Sequence, residues 1–142
     1  MKKTAIVLLT GMMLALVAAI TPSGHVAARP MAETIGPKVE VYYFHYSRRC
    51  ASCRNVENES KRIVETLYAD LVEKGEVIFA SVNLEDQENH ALAERCGVTG
   101  QSLLVISGEE RIDITSQGFM HARNSERYEQ EIKKVIDPLL GR

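Results

Sequence analysis

The chain has 142 residues, 45% of them hydrophobic and 25% charged, a composition that suits one globular domain closing a single core. Its formal charge of −2, from 17 basic and 19 acidic residues, is too small and too mixed to argue for nucleic acid or an anionic membrane surface as a partner. What the chain does must be sought in local patterns.

The first pattern is N-terminal. Lys2 and Lys3 precede an uncharged, mostly apolar run from Ala5 to Ile20, followed by the polar stretch Pro22, Ser23, Gly24 and then the small residues Val26, Ala27 and Ala28. These are the n, h and c regions of a secretory signal, and they predict a signal peptide over residues 1–28 cleaved after Ala28. The competing reading is an uncleaved membrane anchor, since Thr4 and Thr21 extend the run toward the ~20 residues a span needs. Either way the rest of the chain is expected outside the cytosol, periplasmic or secreted, where disulfides persist. Residues 29–38, with Pro30, Gly36 and Pro37, read as a flexible lead, and the domain is expected over 39–142.

Val39 to Tyr46 is apolar on both alternating faces after Glu40, as a central strand covered on both sides would be. It runs into Arg49-Cys50-Ala51-Ser52-Cys53. No second C-x-x-C or H-x3-H follows to complete four ligands, so the pattern is a redox pair at a strand-to-helix junction and not half of a zinc ribbon. Val56, Ser60, Ile63, Val64, Leu67, Tyr68, Leu71 and Val72 recur at helical spacing, with Glu57, Glu59, Lys61, Arg62, Glu65 and Asp70 between them; this predicts one long amphipathic helix ended by Gly75. Val77 to Leu84 is a second buried strand, parallel to the first through a right-handed crossover. Gln87 to Cys96 is a shorter helix closed by Gly97, Leu103 to Ile106 a third strand, and Arg111 to Gln117 an edge strand alternating Ile112 and Ile114 with polar residues. Asn124 or Ser125 caps a last helix bearing Tyr128, Ile132, Val135, Ile136 and Leu139 on one face, with Pro138 in its final turn.

Cysteines at i and i+3 in the first helical turn have Cα atoms about 5–6 Å apart, within disulfide range. Cys50 sits at the positive end of the helix beside Arg48, Arg49 and Arg54, all favouring thiolate, which makes it the expected nucleophile and Cys53 the resolving thiol. The bland alternative is an inert disulfide. Cys96 reads first as a small buried hydrophobe; if it approached the pair, three thiolates would suit a soft metal or arsenite. His45 lies near the pair as a proton acceptor, a ligand or a packed, hydrogen-bonded side chain. Tyr42, Tyr43 and Tyr46 are expected core and rim aromatics. No flavin- or nicotinamide-binding glycine fingerprint occurs, and no cofactor is inferred.

The order β-α-β-α-β-β-α, with the C-x-x-C before the first helix, resembles the thioredoxin fold from Val39 to Leu140; Asn83-Leu84-Glu85-Asp86 and Gly97 to Leu103 look like that family's second-strand end and its site-facing loop. The resemblance implies an α/β domain with a four-stranded mixed sheet, the first and last helices on one face and the middle helix on the other. More narrowly, Tyr43-Phe44-His45 before Arg-Cys-x-x-Cys, and Val98-Thr-Gly-Gln-Ser-Leu103, are similar to small exported nitrophenyl-compound nitroreductase subunits of the ArsF type, named for association with arsenical-resistance transporters. Ser102 stands at the family's cis-proline position. A cis bond at a non-proline residue costs ~2.5–4 kcal/mol, so a trans peptide is expected there. Phe44 and Ser81 stand where the family's buried Asp and Lys would lie, so the usual internal base is missing.

Two readings follow. One is an enzyme, an exported thiol-disulfide oxidoreductase acting through Cys50 and Cys53 on a disulfide-containing protein or small thiol, or passing electrons to a partner reductase. The other is a non-catalytic dithiol module that holds arsenite or a soft metal for a membrane transporter.

Overall fold

The structure, a computed structural model, describes residues 36–142; the expected signal peptide over 1–28 and most of the 29–38 lead lie outside the described residues. Among the described residues no helix is long and apolar enough to cross a membrane. The described chain is tied down from Lys38, whose amide donates to the Glu76 carbonyl at 2.7 Å and whose ammonium pairs with the Glu76 carboxylate at 2.8 Å.

Strand β1 (Val39–His45) is the centre of the sheet. It pairs in parallel with β2 (Val77–Asn83), Val39 opposite Val77 and His45 opposite Asn83, and antiparallel with β3 (Ser102–Ser107), Tyr43 opposite Leu103. Strand β4 (Glu110–Asp113) pairs antiparallel with β3, giving the order β2-β1-β3-β4. Because strand side chains alternate, β1 feeds two cores. Val39, Val41 and Tyr43 pack with Val56 and Ile63 of helix α1 (Ala51–Leu67) and with Tyr128, Ile132 and Ile136 of helix α5 (Ser125–Leu139). Tyr42 and Phe44 face the other way, onto Val82, Leu104 and the Ala93 and Cys96 side of helix α3 (His90–Arg95). A four-stranded mixed sheet with a parallel β-α-β crossover, the first and last helices on one face and α3 on the other, is the thioredoxin-like α/β fold expected.

Two glycines end helices as the sequence suggests. At the end of the short helix α2 (Ala69–Glu73), Gly75 has φ +70°; its amide donates to Val72 and that of Glu76 to Leu71, so the last carbonyls are closed by paired bonds. Gly97, at φ +62°, closes α3 in the same manner, with Gly97 bonded to Glu94 and Val98 to Ala93.

Three elements differ from expectation. The helix expected to run unbroken to Gly75 is interrupted at Tyr68 (φ −119°, ψ 27°), where α1 ends and α2 begins. Tyr68 is 2% exposed and its hydroxyl donates to Asp137 on α5 at 2.8 Å, so the break accommodates a buried ring bonded to another helix. No Pro or Gly announces it. The Gln87–Cys96 helix begins as a 3-10 turn, Gln87–Asn89, before α3. The edge strand expected to reach Gln117 stops at Asp113, and Thr115–His121 forms a helix, α4. The Asp113 carboxylate accepts from the Thr115 amide at 2.9 Å, the Thr115 hydroxyl accepts from the Leu103 amide at 2.8 Å, and the Ile114 amide donates to the Leu103 carbonyl at 2.9 Å. These bonds satisfy the start of β3 without a longer strand, and they bury Ile114 against the main core.

Helix α4 approaches the core through Gly118. A Cβ there would lie 3.0 Å from both the Tyr128 hydroxyl and Val56 Cγ1, and 3.4 Å from Leu103. Gly118→Ala gains ~1 kcal/mol of helix propensity but overpacks a site whose neighbours are fixed, at ~1–3 kcal/mol. A net loss of ~1 kcal/mol, read as a lower midpoint in urea denaturation, is expected, and an unchanged or raised midpoint would show that the core yields.

Burial raises the hydroxyl pKa of Tyr68 and Tyr128; beside Tyr68 the Asp137 carboxylate adds to the effect, while at Tyr128 the Ser60 hydrogen bond opposes it. These phenols therefore keep their protons in the folded state above ~10, where an unfolded chain loses them. The unfolded state binds fewer protons there, so stability complete below pH ~10 falls as pH rises. Denaturant midpoints measured from pH 8 to 11 should decline above 10, and less steeply for Tyr128→Phe.

Candidate functional site

Cys50 is the N-cap of α1, with extended backbone (φ −73°, ψ 164°); its Sγ accepts from the Cys53 amide at 3.0 Å, and its carbonyl accepts from the Arg54 amide at 3.2 Å. A sulfur atom thus does the capping that Ser or Asp usually does, and it lies among the free amides of the first turn. The two cysteines form a disulfide with Cα atoms 5.1 Å apart, as their spacing implies. They are not equivalent. Cys50 is exposed, whereas Cys53, turned inward on the first helical turn, is 8% exposed.

The loop carrying Cys50 is pinned to the end of β2. The Leu84 amide donates to the His45 carbonyl at 2.8 Å, the Ser47 amide donates to the Glu85 carboxylate at 2.7 Å, and Asn83 donates to the Ser47 hydroxyl at 3.1 Å. Hydrogen bonding from the Ser47 side chain, and then from its amide, holds the Glu85 carboxyl below its usual range. Asn83 and Glu85 belong to the stretch singled out in the sequence as a second-strand end, and its role here is to fix the approach to the cysteines.

Beneath Cys53 lies Tyr43. Fully buried on β1, it donates its hydroxyl to the Cys53 carbonyl at 2.9 Å and accepts from Gln101 Nε2 at 2.6 Å. Central strand, first helical turn and facing loop are thereby joined at one oxygen. Burial raises the phenol pKa, the Gln101 bond lowers it, Glu57 raises it and Arg49 lowers it, which places both charges within electrostatic reach of the Tyr43 hydroxyl.

Glu57, grouped from the sequence with outward-facing polar residues, is instead turned toward β2, its side chain only 15% exposed. One carboxylate oxygen pairs with Arg49, and the other accepts from Ser81 on β2 at 2.5 Å. Arg49, expected to stabilise a Cys50 thiolate, therefore spends a guanidinium nitrogen on a carboxylate. Its carbonyl accepts from Arg54 Nη1 at 3.2 Å. Arg48 lies exposed in the loop before the pair. Glu57 follows Cys53 by four positions and Cys50 by seven, spacing that sets all three on one helical face and was legible in the sequence. Tyr43 and Gln101 had no such signal, because their meeting depends on the pairing of β1 with β3.

The remaining candidates disperse. Ser102 opens β3 opposite Phe44, its peptide is trans, and its hydroxyl donates to the Gly100 carbonyl at 3.0 Å. His45 is buried with Nδ1 donating to the Tyr46 carbonyl at 3.0 Å, a packed and bonded side chain. Cys96 is 2% exposed in the cluster with Phe44 and Val82, across the sheet from Val56 and Tyr43, and burial raises its pKa. The sheet therefore separates Cys96 from the pair, and the three-thiol set considered from the sequence does not assemble. Among the described residues no three His, Cys, Asp or Glu side chains converge to hold a metal ion. A polar cleft of about 500 Å³ takes in Ala51 and Ser52, between the cysteines, together with Asn55, Arg123 and Ser125.

No family model matches the chain, and no curated protein matches it. Among solved structures it is similar to one described as "Structure of a malarial protein", with 18% sequence identity, coverage of 61% of this chain and 93% of that one, and a TM-score of 0.39. The strand order, the parallel crossover and the placement of the helices define the thioredoxin-like α/β fold, and the Cys50–Cys53 disulfide at the start of α1 marks the site.

Proposed function

We propose that this protein is an exported thiol-disulfide oxidoreductase that works through Cys50 and Cys53. The observation that carries the reading is the asymmetry of the pair: an exposed sulfur at the N-terminus of a helix, bonded to one that is 8% exposed. An inert structural disulfide has no need of an exposed half. In the reduced protein the Cys50 thiolate attacks a substrate disulfide, forming a mixed disulfide and expelling the first substrate thiolate, which takes a proton from solvent. Cys53 loses its proton and attacks Cys50 Sγ, re-forming the intramolecular bond and releasing the second substrate thiolate. The substrate gains two electrons and two protons, and the protein becomes the disulfide. The reverse sequence oxidises a dithiol. Export is supported by the sequence pattern of residues 1–28, and a disulfide partner of protein or small-thiol class by the polar cleft beside Ala51 and Ser52.

Disulfide reduction assayed with insulin or oxidised glutathione should be lost in Cys50→Ser. Cys53→Ser should instead accumulate a mixed disulfide, visible as a mass increase that a reductant reverses. If the wild type exchanges no thiols but binds one equivalent of arsenite when reduced, the oxidoreductase reading is overturned in favour of a dithiol carrier.

The helix terminus, with Arg48 and Arg54 flanking it in the chain, also predicts that Cys50 in the reduced protein titrates below the free-thiol value of ~8.5. Thiolate absorbance at 240 nm, followed against pH in Cys53→Ser, reads this directly; a midpoint at or above 8.5 removes Cys50 as the nucleophile.

A further inference from the structure

The charges around the disulfide are arranged unlike those the sequence suggested. Arg49 adjoins Cys50, but Glu57 holds its guanidinium. Glu57 is itself held from two elements, by Arg49 from the loop and by Ser81 from β2. Its carboxylate lies on the helical face that carries both cysteines, one turn below Cys53, where neighbouring side chains are about 5–6 Å apart. The other groups facing this cluster are the Tyr43 hydroxyl, already committed to the Cys53 carbonyl, and Arg54, bonded to the Arg49 carbonyl. Arg48 is exposed and outside the pair.

We propose that Arg49 and Glu57 act as a charge couple that sets the reduction potential of the Cys50–Cys53 pair, with Glu57 as a positioning residue acting through Arg49. The disulfide carries no charge, whereas the reduced pair carries one wherever Cys50 is a thiolate. A cation beside the pair favours reduction; an anion opposes it. With Arg49 neutralised by Glu57, the helix terminus retains its effect while the arginine's is largely cancelled, which keeps the pair more reducing than a free arginine would leave it. The electrostatic reach of both charges to the Tyr43 hydroxyl, which bonds the Cys53 carbonyl, agrees with this placement.

This inference rests on the oxidoreductase reading. The test equilibrates full-length protein with glutathione redox buffers: two glutathione thiols are oxidised to one disulfide, and the Cys50–Cys53 bond takes up their two electrons. The accompanying protons go to Cys53 and to Cys50, or to solvent in place of Cys50 where it stays a thiolate. Glu57→Gln keeps the shape and an acceptor for Ser81 while freeing the Arg49 charge, and should shift the equilibrium toward reduced protein by about tenfold, ~30 mV for a two-electron couple. Arg49→Gln leaves the carboxylate uncompensated and should shift it the opposite way. The double variant restores local neutrality and should return close to wild type. Loss of structure would not produce opposite signs in the singles and cancellation in the double. Shifts of the same sign, or none, overturn the charge couple while leaving the oxidoreductase reading intact. If wild type does not equilibrate with glutathione at all, the oxidoreductase reading falls and this inference falls with it. Should Glu57→Gln fail to fold, Arg49→Gln alone decides the sign.

Discussion

The Tyr43 hydroxyl is where the structure of the site converges. Its ring is a core side chain of the central strand, packed with α1 and α5, yet its oxygen bonds the carbonyl of Cys53 and receives the Gln101 amide. A buried phenol left without partners would cost ~1–3 kcal/mol, so the first turn of α1 and the loop before β3 are held to the strand by the requirement that this oxygen be satisfied. The position of the cysteines is thus set by core packing. That permits one sulfur to be exposed without the motif becoming mobile.

A second constraint is electrostatic. Phe44 points into the second core cluster, on the far side of the sheet from the cysteines, so the β1 side chain beneath Cys53 is Tyr43, and Ser81 beside it on β2 offers only a hydroxyl. A carboxylate nevertheless reaches this region, supplied by the helix at Glu57 and neutralised by Arg49. Pairing limits the penalty of placing a charge in a partly buried position. It also cancels the share of the cationic field that Arg49 would lend the cysteines. The helix terminus, whose amides surround Cys50, remains as the main local force favouring thiolate.

The two faces of the sheet have separate roles. On one, α1, α4 and α5 close over β1 and β3, with Gly118 allowing α4 to come within contact of Tyr128 and Val56. On the other, α3 covers Phe44 and Val82 and buries Cys96. A third thiol on the far side of a central strand cannot join chemistry at the start of α1, which leaves a two-thiol site.

Much of this was determined by the sequence itself. The doubly apolar run Val39–Tyr46 pointed to a central strand, the i, i+3 cysteines at its end to a pair that can close in a first helical turn, and Gly75 and Gly97 marked helix ends, where both take positive φ. Such features depend on local spacing and backbone sterics, which a sequence displays directly. The break at Tyr68, the helix α4 in place of a longer edge strand, and the bonding of Glu57 to β2 depended on partners distant in the chain: Asp137, Leu103 and Ser81. Periodicity continued through Tyr68, and Ile112 and Ile114 alternated as a strand would, because hydrophobic patterning records burial and not the element that provides it. Only the tertiary structure decided these, since a hydrogen bond or ion pair between remote residues outweighs a local preference of a few tenths of a kcal/mol without leaving a mark on the local pattern.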